Sequence, residues 1–440
     1  MTKIETSDRL VDSFGGIDFF RAFIKENHSA INEAIQSNLG SRPKQAKYSI
    51  MDVLITFMSN CLVGGAFVED FHTLKQRTSS GHFEKFCSPD TFCELMSQFS
   101  EHRNVHTVKD VDKGKFYNFC FNEKLNDLLI DLAYEFNSQN LSGDIIDHDH
   151  TKIRASKADS KICYKGNGYY ASVFSEKDTP LYVSMQDGNA VPAKELSTIL
   201  DAGLRHLGSK GKKFKIFRAD GASYSARVID TVLSHCPYYV VRAKRSDERQ
   251  KALYLKNCEQ RIINPAHKPP GQPNHYFIVI EHKDNFAGRP CRRIYYSRVN
   301  DSDPDLFSEI SFHEIITNLP EEEYPIEKVI KMYQQRGASE RLFDELKNDY
   351  NAAHPPMSGV CYNLSCLIIS CISKVIITAF KRKMCTLTKG YIKTKYRLKR
   401  ITMKIIALPA VLVSHARRKI YRIFCKDKRI DSIVQWANLQ

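Results

Sequence analysis

Tyr333-Gln-Gln-Arg336-Gly-Ala-Ser-Glu340-Arg-Leu-Phe-Asp344-Glu-Leu-Lys347 is the stretch from which the rest of the chain can be read. At 100° per residue on a helix, Tyr333, Arg336, Glu340, Asp344 and Lys347 share a stripe about 80° wide. One face therefore carries a tyrosine, two cations and two carboxylates. A solvated helix face has the same composition, with Arg336 and Glu340 as an i,i+4 pair contributing about 0.2–0.5 kcal/mol. The neighbouring elements decide between a surface helix and a site.

Working outward, the charged helix spans Ile326 to Asn348 and follows a strand at His313–Leu319 and a turn at Pro320-Glu-Glu-Glu. Further upstream, Asp144–Thr151, Gly168–Phe174 and Pro180–Met185 read as strands at hairpin spacing. A helix at Ala193–Leu207, a strand at Lys213–Asp220, a helix at Ser223–Ser234 and a strand at Tyr238–Arg242 follow. Three hairpin-linked strands, then helix, strand, helix, strand is the element order of an RNase H-like core, an α/β fold. Arg245 to about Asp303 interrupts it with Pro265, Pro269, Pro270 and Pro273 and with strand candidates at His275–Glu281 and Arg292–Ser297, a β-rich insertion.

Residues 1 to about 135 read as helical, from the 3.6-residue spacing in Ile17–Ile24, Ile50–Met58 and Leu125–Ala133, with breaks at Gly64-Gly65 and Ser88-Pro89-Asp90. The expected organisation is a helical domain at 1–140, the first part of the core at 141–244, the insertion at 245–310, the second part with the charged helix at 311–380, and a basic helical segment at 381–440. The apolar run Leu364–Phe380 is 17 residues long and holds Lys374, so it reads as a buried helix rather than a bilayer span. Met1 to Gly16 is polar and acidic, unlike a signal peptide. The thirteen cysteines include no Cys-x-x-Cys pair, and reduced, mostly buried thiols are expected.

The net charge of +15 is concentrated. Lys381–Arg429 holds 17 lysines and arginines against Asp427 alone, so the remainder is close to neutral. Such density is the footprint of a polyanionic partner. Within it Leu398, Ile401, Ile405, Leu408 and Leu412 form an apolar helical stripe flanked by Arg397, Lys399, Arg400 and Lys404, with Pro409 as a break. The stripe has no large aromatic anchor, which favours nucleic acid over a membrane surface.

Tyr, two residues, Arg, three residues, Glu, six residues, Lys resembles the signature of insertion-sequence DDE transposases of the Tyr-Arg-Glu-Lys group, in the subgroup that looks related to piggyBac-type elements. The resemblance implies two upstream aspartates on strands, completing a metal triad with Glu340. Asp220 ends a strand in Phe217-Arg218-Ala-Asp220-Gly221, similar to the family's second-aspartate motif, and Asp149-His-Thr151 resembles its first. Asp147 shares the strand face of Asp149 and stays open as the alternative, while Asp144 lies opposite. His148 and His150 point away from Asp149 and read as core or sheet-surface residues.

Three converging carboxylates repel one another unless cations sit among them, and oxygen-only ligands suit hard ions, Mg²⁺ or Mn²⁺, two per site. By resemblance, Asp149, Asp220 and Glu340 would hold the ions, Arg336 and Lys347 would hold DNA phosphates, and Tyr333 would stack or donate its hydroxyl. The implied activity is cleavage at the ends of an insertion sequence and transfer of the 3′-hydroxyl ends into target DNA. The implied partners are the terminal inverted repeats, target DNA and a second copy of the chain in the synaptic complex, and the expected location is the bacterial cytoplasm, at the nucleoid. The helical N-terminus is expected to bind the DNA ends. A metal-dependent nuclease without strand transfer and a non-catalytic DNA-binding descendant remain the alternatives.

Overall fold

Strands buried on both faces form the centre of the molecule. The computed structural model describes residues 11–78, 85–100, 105–110, 114–163, 166–190, 195–244, 261–263, 275–300, 312–415 and 418–440. The strands are β1 (Val105–Asp110), β2 (Lys115–Cys120), β3 (Ile145–Arg154), β4 (Lys161–Cys163), β5 (Gly166–Glu176), β6 (Thr179–Asp187), β7 (Ile216–Ala219), β8 (Tyr238–Arg242), β9 (Arg261–Ile263), β10 (His275–Phe286), β11 (Arg289–Asn300) and β12 (Phe312–Thr317). They make one mixed sheet of order β1-β2-β6-β5-β3-β7-β8-β12-β11-β10-β9, with β4 attached to β5. Every residue of β6 and of β7 is buried, as for strands covered on both faces.

The helices of the N-terminal part are α1 (Ile17–Glu26), α2 (His28–Leu39), α3 (Ile50–Val63), α4 (Phe71–Arg77), α5 (Pro89–Phe99) and α6 (Glu123–Asn137). Ser49 caps α3 in a capping box with Asp52, and Ser88 caps α5 ahead of Pro89. This part is not wholly helical, because β1 and β2 form a hairpin that joins the main sheet through Phe119 and Cys120 opposite Gln186 and Met185. Tyr117 and Phe119 point inward and Phe116 outward, a two-residue alternation that suits a strand.

In the middle of the sheet, β3 pairs antiparallel with β5 and β5 with β6, while β3, β7 and β8 run parallel. Helices α7 (Leu196–Ser209) and α8 (Ala226–Leu233) make the two crossovers. This is the RNase H-like arrangement expected from the element order. The insertion does not stand apart from it: β12 pairs antiparallel with β8, and β11, β10 and β9 continue the same sheet. Pro265, Pro269, Pro270 and Pro273 lie outside the described residues.

The charged helix is two helices, α9 (Ile326–Gln334) and α10 (Gly337–Asp349), separated by a turn at Gln335-Arg336. A single helix from Ile326 to Asn348 is therefore not what forms. Behind it, α11 (Val360–Leu387) is long and apolar enough to cross a membrane, but 94% of its most apolar window is buried inside the protein, against α5, α6 and β6.

Nor is the C-terminal segment helical throughout. After α12 (Leu398–Ile401) and a wide turn over Thr402–Ile406, Pro409 ends the helix and the chain turns back as a hairpin, β13 (Ala410–His415) with β14 (Arg418–Ile423), before α13 (Asp431–Ala437). Leu408 and Leu412 thus leave the expected helical stripe, and Leu412 pairs with Tyr421 instead. Asp12 exchanges backbone hydrogen bonds with Ala410 (2.8 and 2.9 Å), and the amides of Gly15 and Gly16 donate to the carbonyls of Leu408 and Ile406. One hydrophobic cluster accordingly runs from Ile17 to Trp436, and a second, smaller one seats α9 on β8, β11 and β12.

Candidate active site

The site begins with strand register. Parallel pairing sets Asp147 opposite Arg218 and His148 opposite Ala219, so the next step along the chain brings Asp149, midway along β3, beside Asp220, the residue that follows β7. Asp147 is fully buried and accepts two hydrogen bonds from Arg218, at 2.6 Å to Oδ1 and 2.7 Å to Oδ2. Arg218 also donates to the Met332 carbonyl on α9. With both oxygens of Asp147 committed to this core pair, Asp149 is the carboxylate that faces the site.

Asp149 Oδ1 accepts the His150 amide at 2.9 Å, and Oδ2 accepts from Arg336 Nη1 at 2.9 Å. Burial above all, reinforced by the nearby charge of Asp220, pushes the Asp149 carboxyl above its ordinary range, against the pull of Arg336. Asp220 caps the turn after β7, accepting the Ala222 amide at 3.0 Å. Arg336 lies in the turn between α9 and α10, only 13% exposed, and its Nη2 is 3.5 Å from Glu340 Oε1. Burial works against the charge of that guanidinium, yet Tyr333, Asp149 and Asp220 hold its pKa above the usual value. A cation therefore sits between carboxylates brought together by two strands and a helix.

Glu340 stands in the first turn of α10 with its side chain 74% exposed, joined to Asp149 only through Arg336. Among the described residues, no three His, Cys, Asp or Glu side chains converge closely enough to hold a metal ion. The donor chemistry nevertheless fits one: two like-charged oxygen donors stand at neighbouring positions, on β3 and just after β7, one of them desolvated and already compensated by a positive charge.

Lys347 Nζ donates to Thr151 Oγ1 at 2.6 Å, which ties the end of α10 to β3. Burial, then the neighbouring Arg154, lowers its pKa below the usual lysine value. Tyr333 is not on the exposed stripe. It lies in the second cluster, 7% exposed, with its hydroxyl beside Arg336 and Arg242 and its pKa raised chiefly by burial. Arg242, which ends β8 as Asp220 ends β7, was not singled out from the sequence; its position at the end of a strand parallel to the other two was the available signal.

The sequence model of the transposase DDE domain group 1 family matches residues 9–428 of this chain. The chain belongs to that transposase family. A solved piggyBac transposase synaptic complex with hairpin DNA is similar to it at 13% sequence identity and a TM-score of 0.44, over 90% of this chain and 80% of that one. No curated protein matches it.

The basic residues of this transposase family member are arranged in three ways. Arg397 reaches back to α10, bonding Asp349 at 2.6 and 3.1 Å and also Asp344. Arg400 and Lys404 lie over the rings of Tyr396 and Tyr391, at 4.2 and 4.0 Å. Lys399 is exposed. On the far face of β3, His148 is buried between Phe174 and Phe217, and burial pushes its pKa down to about 3, so it is a neutral core histidine.

Proposed function

We propose that the chain is a DNA transposase that cuts at the ends of its insertion sequence and joins the 3′-hydroxyl ends to target DNA, with Asp149, Asp220 and Glu340 as the catalytic carboxylates. The observation that carries this reading is the juxtaposition of Asp149 and Asp220 with the guanidinium of Arg336 between Asp149 and Glu340. Bound by these carboxylates, Mg²⁺ or Mn²⁺ supplies the charge that activates the attacking oxygen and steadies the leaving one in a phosphoryl displacement. Arg336 can fork onto a phosphate, and Lys347, fixed on Thr151, presents a point charge beside it. Tyr333 supports the turn that carries Arg336.

The family and the +15 net charge, concentrated in 381–429, support DNA as the partner: the element's terminal inverted repeats and the target. Lys399, Arg400 and Lys404 contribute to its binding, and Arg397 does so by joining that segment to α10. Two copies are expected to act on paired ends, since two ends must be joined together, in the bacterial cytoplasm at the nucleoid.

The test is cleavage and joining of DNA carrying the element's own ends, comparing the intact chain with Glu340→Gln. The variant is expected to lose both activities by about 10²-fold or more, the scale of removing one electrostatic contact to developing charge, while keeping the DNA affinity measured without divalent ions. Equal activity would overturn the assignment of Glu340. Joining of pre-cut ends separates a transposase from a nuclease that only hydrolyses.

A further inference from the structure

The guanidinium of Arg336 occupies the position that a cation bound to Asp149 needs. Nη1 takes Asp149 Oδ2 at 2.9 Å, the backbone amide of His150 takes Oδ1, and Nη2 reaches towards Glu340. A divalent ion on Asp149 and a guanidinium on the same carboxylate would set two positive charges side by side in a largely buried place. Arg336 also stands outside the regular helices. It belongs to the turn rather than to α9 or α10, the following Gly337 has nothing within 4 Å of where a Cβ would stand, and the Glu340 carboxylate beside it is open to solvent.

We propose that Arg336 and a divalent cation compete for Asp149, and that DNA relieves the competition. A DNA phosphate offers the guanidinium a bidentate acceptor at least as good as the carboxylate. Drawn to it, Arg336 releases Asp149 for the ion, and by linkage the ion strengthens DNA binding by the same factor. This inference rests on the reading of Asp149 as an ion ligand. It adds that the site takes up its ions together with its DNA, so that the chain without DNA is a poor metal binder.

The experiment is titration of the full chain with Mn²⁺, following free Mn²⁺ by electron paramagnetic resonance, with and without a short duplex of the element's end. Asp149→Asn with the same duplex gives the background of ions held by the DNA itself. For the unaltered chain, the duplex is expected to tighten Mn²⁺ binding about tenfold, the worth of one charge-assisted hydrogen bond in an equilibrium constant. Arg336→Gln is expected to bind Mn²⁺ about tenfold more tightly than the unaltered chain without DNA, and to gain nothing from the duplex. Absence of the DNA effect in the unaltered chain, or its persistence in Arg336→Gln, overturns the competition. If Arg336→Gln does not fold, Arg336→Lys keeps the charge without the fork and should show a reduced DNA effect; an undiminished effect overturns the competition equally. If Asp149→Asn binds Mn²⁺ as well as the unaltered chain does, the assignment of Asp149 as a ligand fails instead.

Discussion

Asp147 gives both oxygens to Arg218, whereas Asp149, two residues along the same strand face, gives one to Arg336. Replacing Asp147 by Asn would leave the Arg218 charge uncompensated at a side chain 4% exposed, which costs about 3–5 kcal/mol. Chemical denaturation should show that loss at neutral pH. Asp149→Asn should cost less, because its partner Arg336 is more exposed than Arg218 and keeps Glu340 within 3.5 Å. Because burial raises the Asp149 pKa, the stability tied to its protonated form is complete below the unfolded-state value of 3.8 and is lost as pH rises through the raised folded-state value. The unaltered chain should therefore lose stability relative to Asp149→Asn as pH climbs through that window. A gain on the variant with rising pH would contradict the assignment. Strand alternation could not separate these two aspartates, because they share a face. What separates them is Arg218, whose pairing with Asp147 depends on strand register that neither local sequence reveals.

The charged helix shows the same limit one level up. Its charges follow the helical period without interruption from Tyr333 to Lys347, and only Gly337 hints that the helix is broken. Tyr333, ahead of the break, packs with Val329, Ile330 and Met332 in the second cluster. Helix α10 is then held by charges from every side: Arg336 and Lys347 to β3, Arg397 to Asp344 and Asp349, and Lys374 of α11 to Glu345 at 2.5 Å. In the sequence Lys374 is a blemish in an apolar run; in the fold it is a partner, 4% exposed. Lys374→Met alone should cost about 3–5 kcal/mol by stranding Glu345, and adding Glu345→Leu should recover most of it. A double-mutant cycle on unfolding free energy checks this, and additive losses would mean the pair is not coupled. Beyond α12, the break at Pro409 was legible, but the strands after it were not, because the apolar spacing up to Ile405 continues to Leu408 and Leu412 as if the helix went on.

At the scale of the molecule, charge and core cannot be cut apart. The segment that carries the net charge also sends Ile392, Leu398, Ile401, Ile405, Ile406 and Trp436 into the main hydrophobic cluster. Removing residues from 381 onward would unfold the protein rather than measure its DNA affinity. Substitution of the exposed Lys393, Lys395 and Lys399 by Gln avoids this. If all three face phosphates, the slope of log affinity against log salt should fall by about 0.9 for each, with thermal stability unchanged. An unchanged slope would move the DNA contact elsewhere. The RNase H-like centre was legible because its elements follow one another in order; the merging of the flanking segments into one core was not, since it rests on contacts hundreds of residues apart.

The N-terminal end of the fold is closed by its other end. Asp12, Gly15 and Gly16 take backbone partners from 406 to 410, and the approach at Gly16 is so close that a Cβ there would stand 1.6 Å from the Ile405 carbonyl oxygen. A ribosome adding about 5–20 residues per second needs roughly 20–80 s to travel between those two places. For that time these backbone groups lack their partners, while α1 can already meet the earlier part of the fold through Phe23 and Phe136. The closure at 406–410 can therefore form only after most of the domain has left the ribosome, and translation itself sets the earliest moment at which it exists.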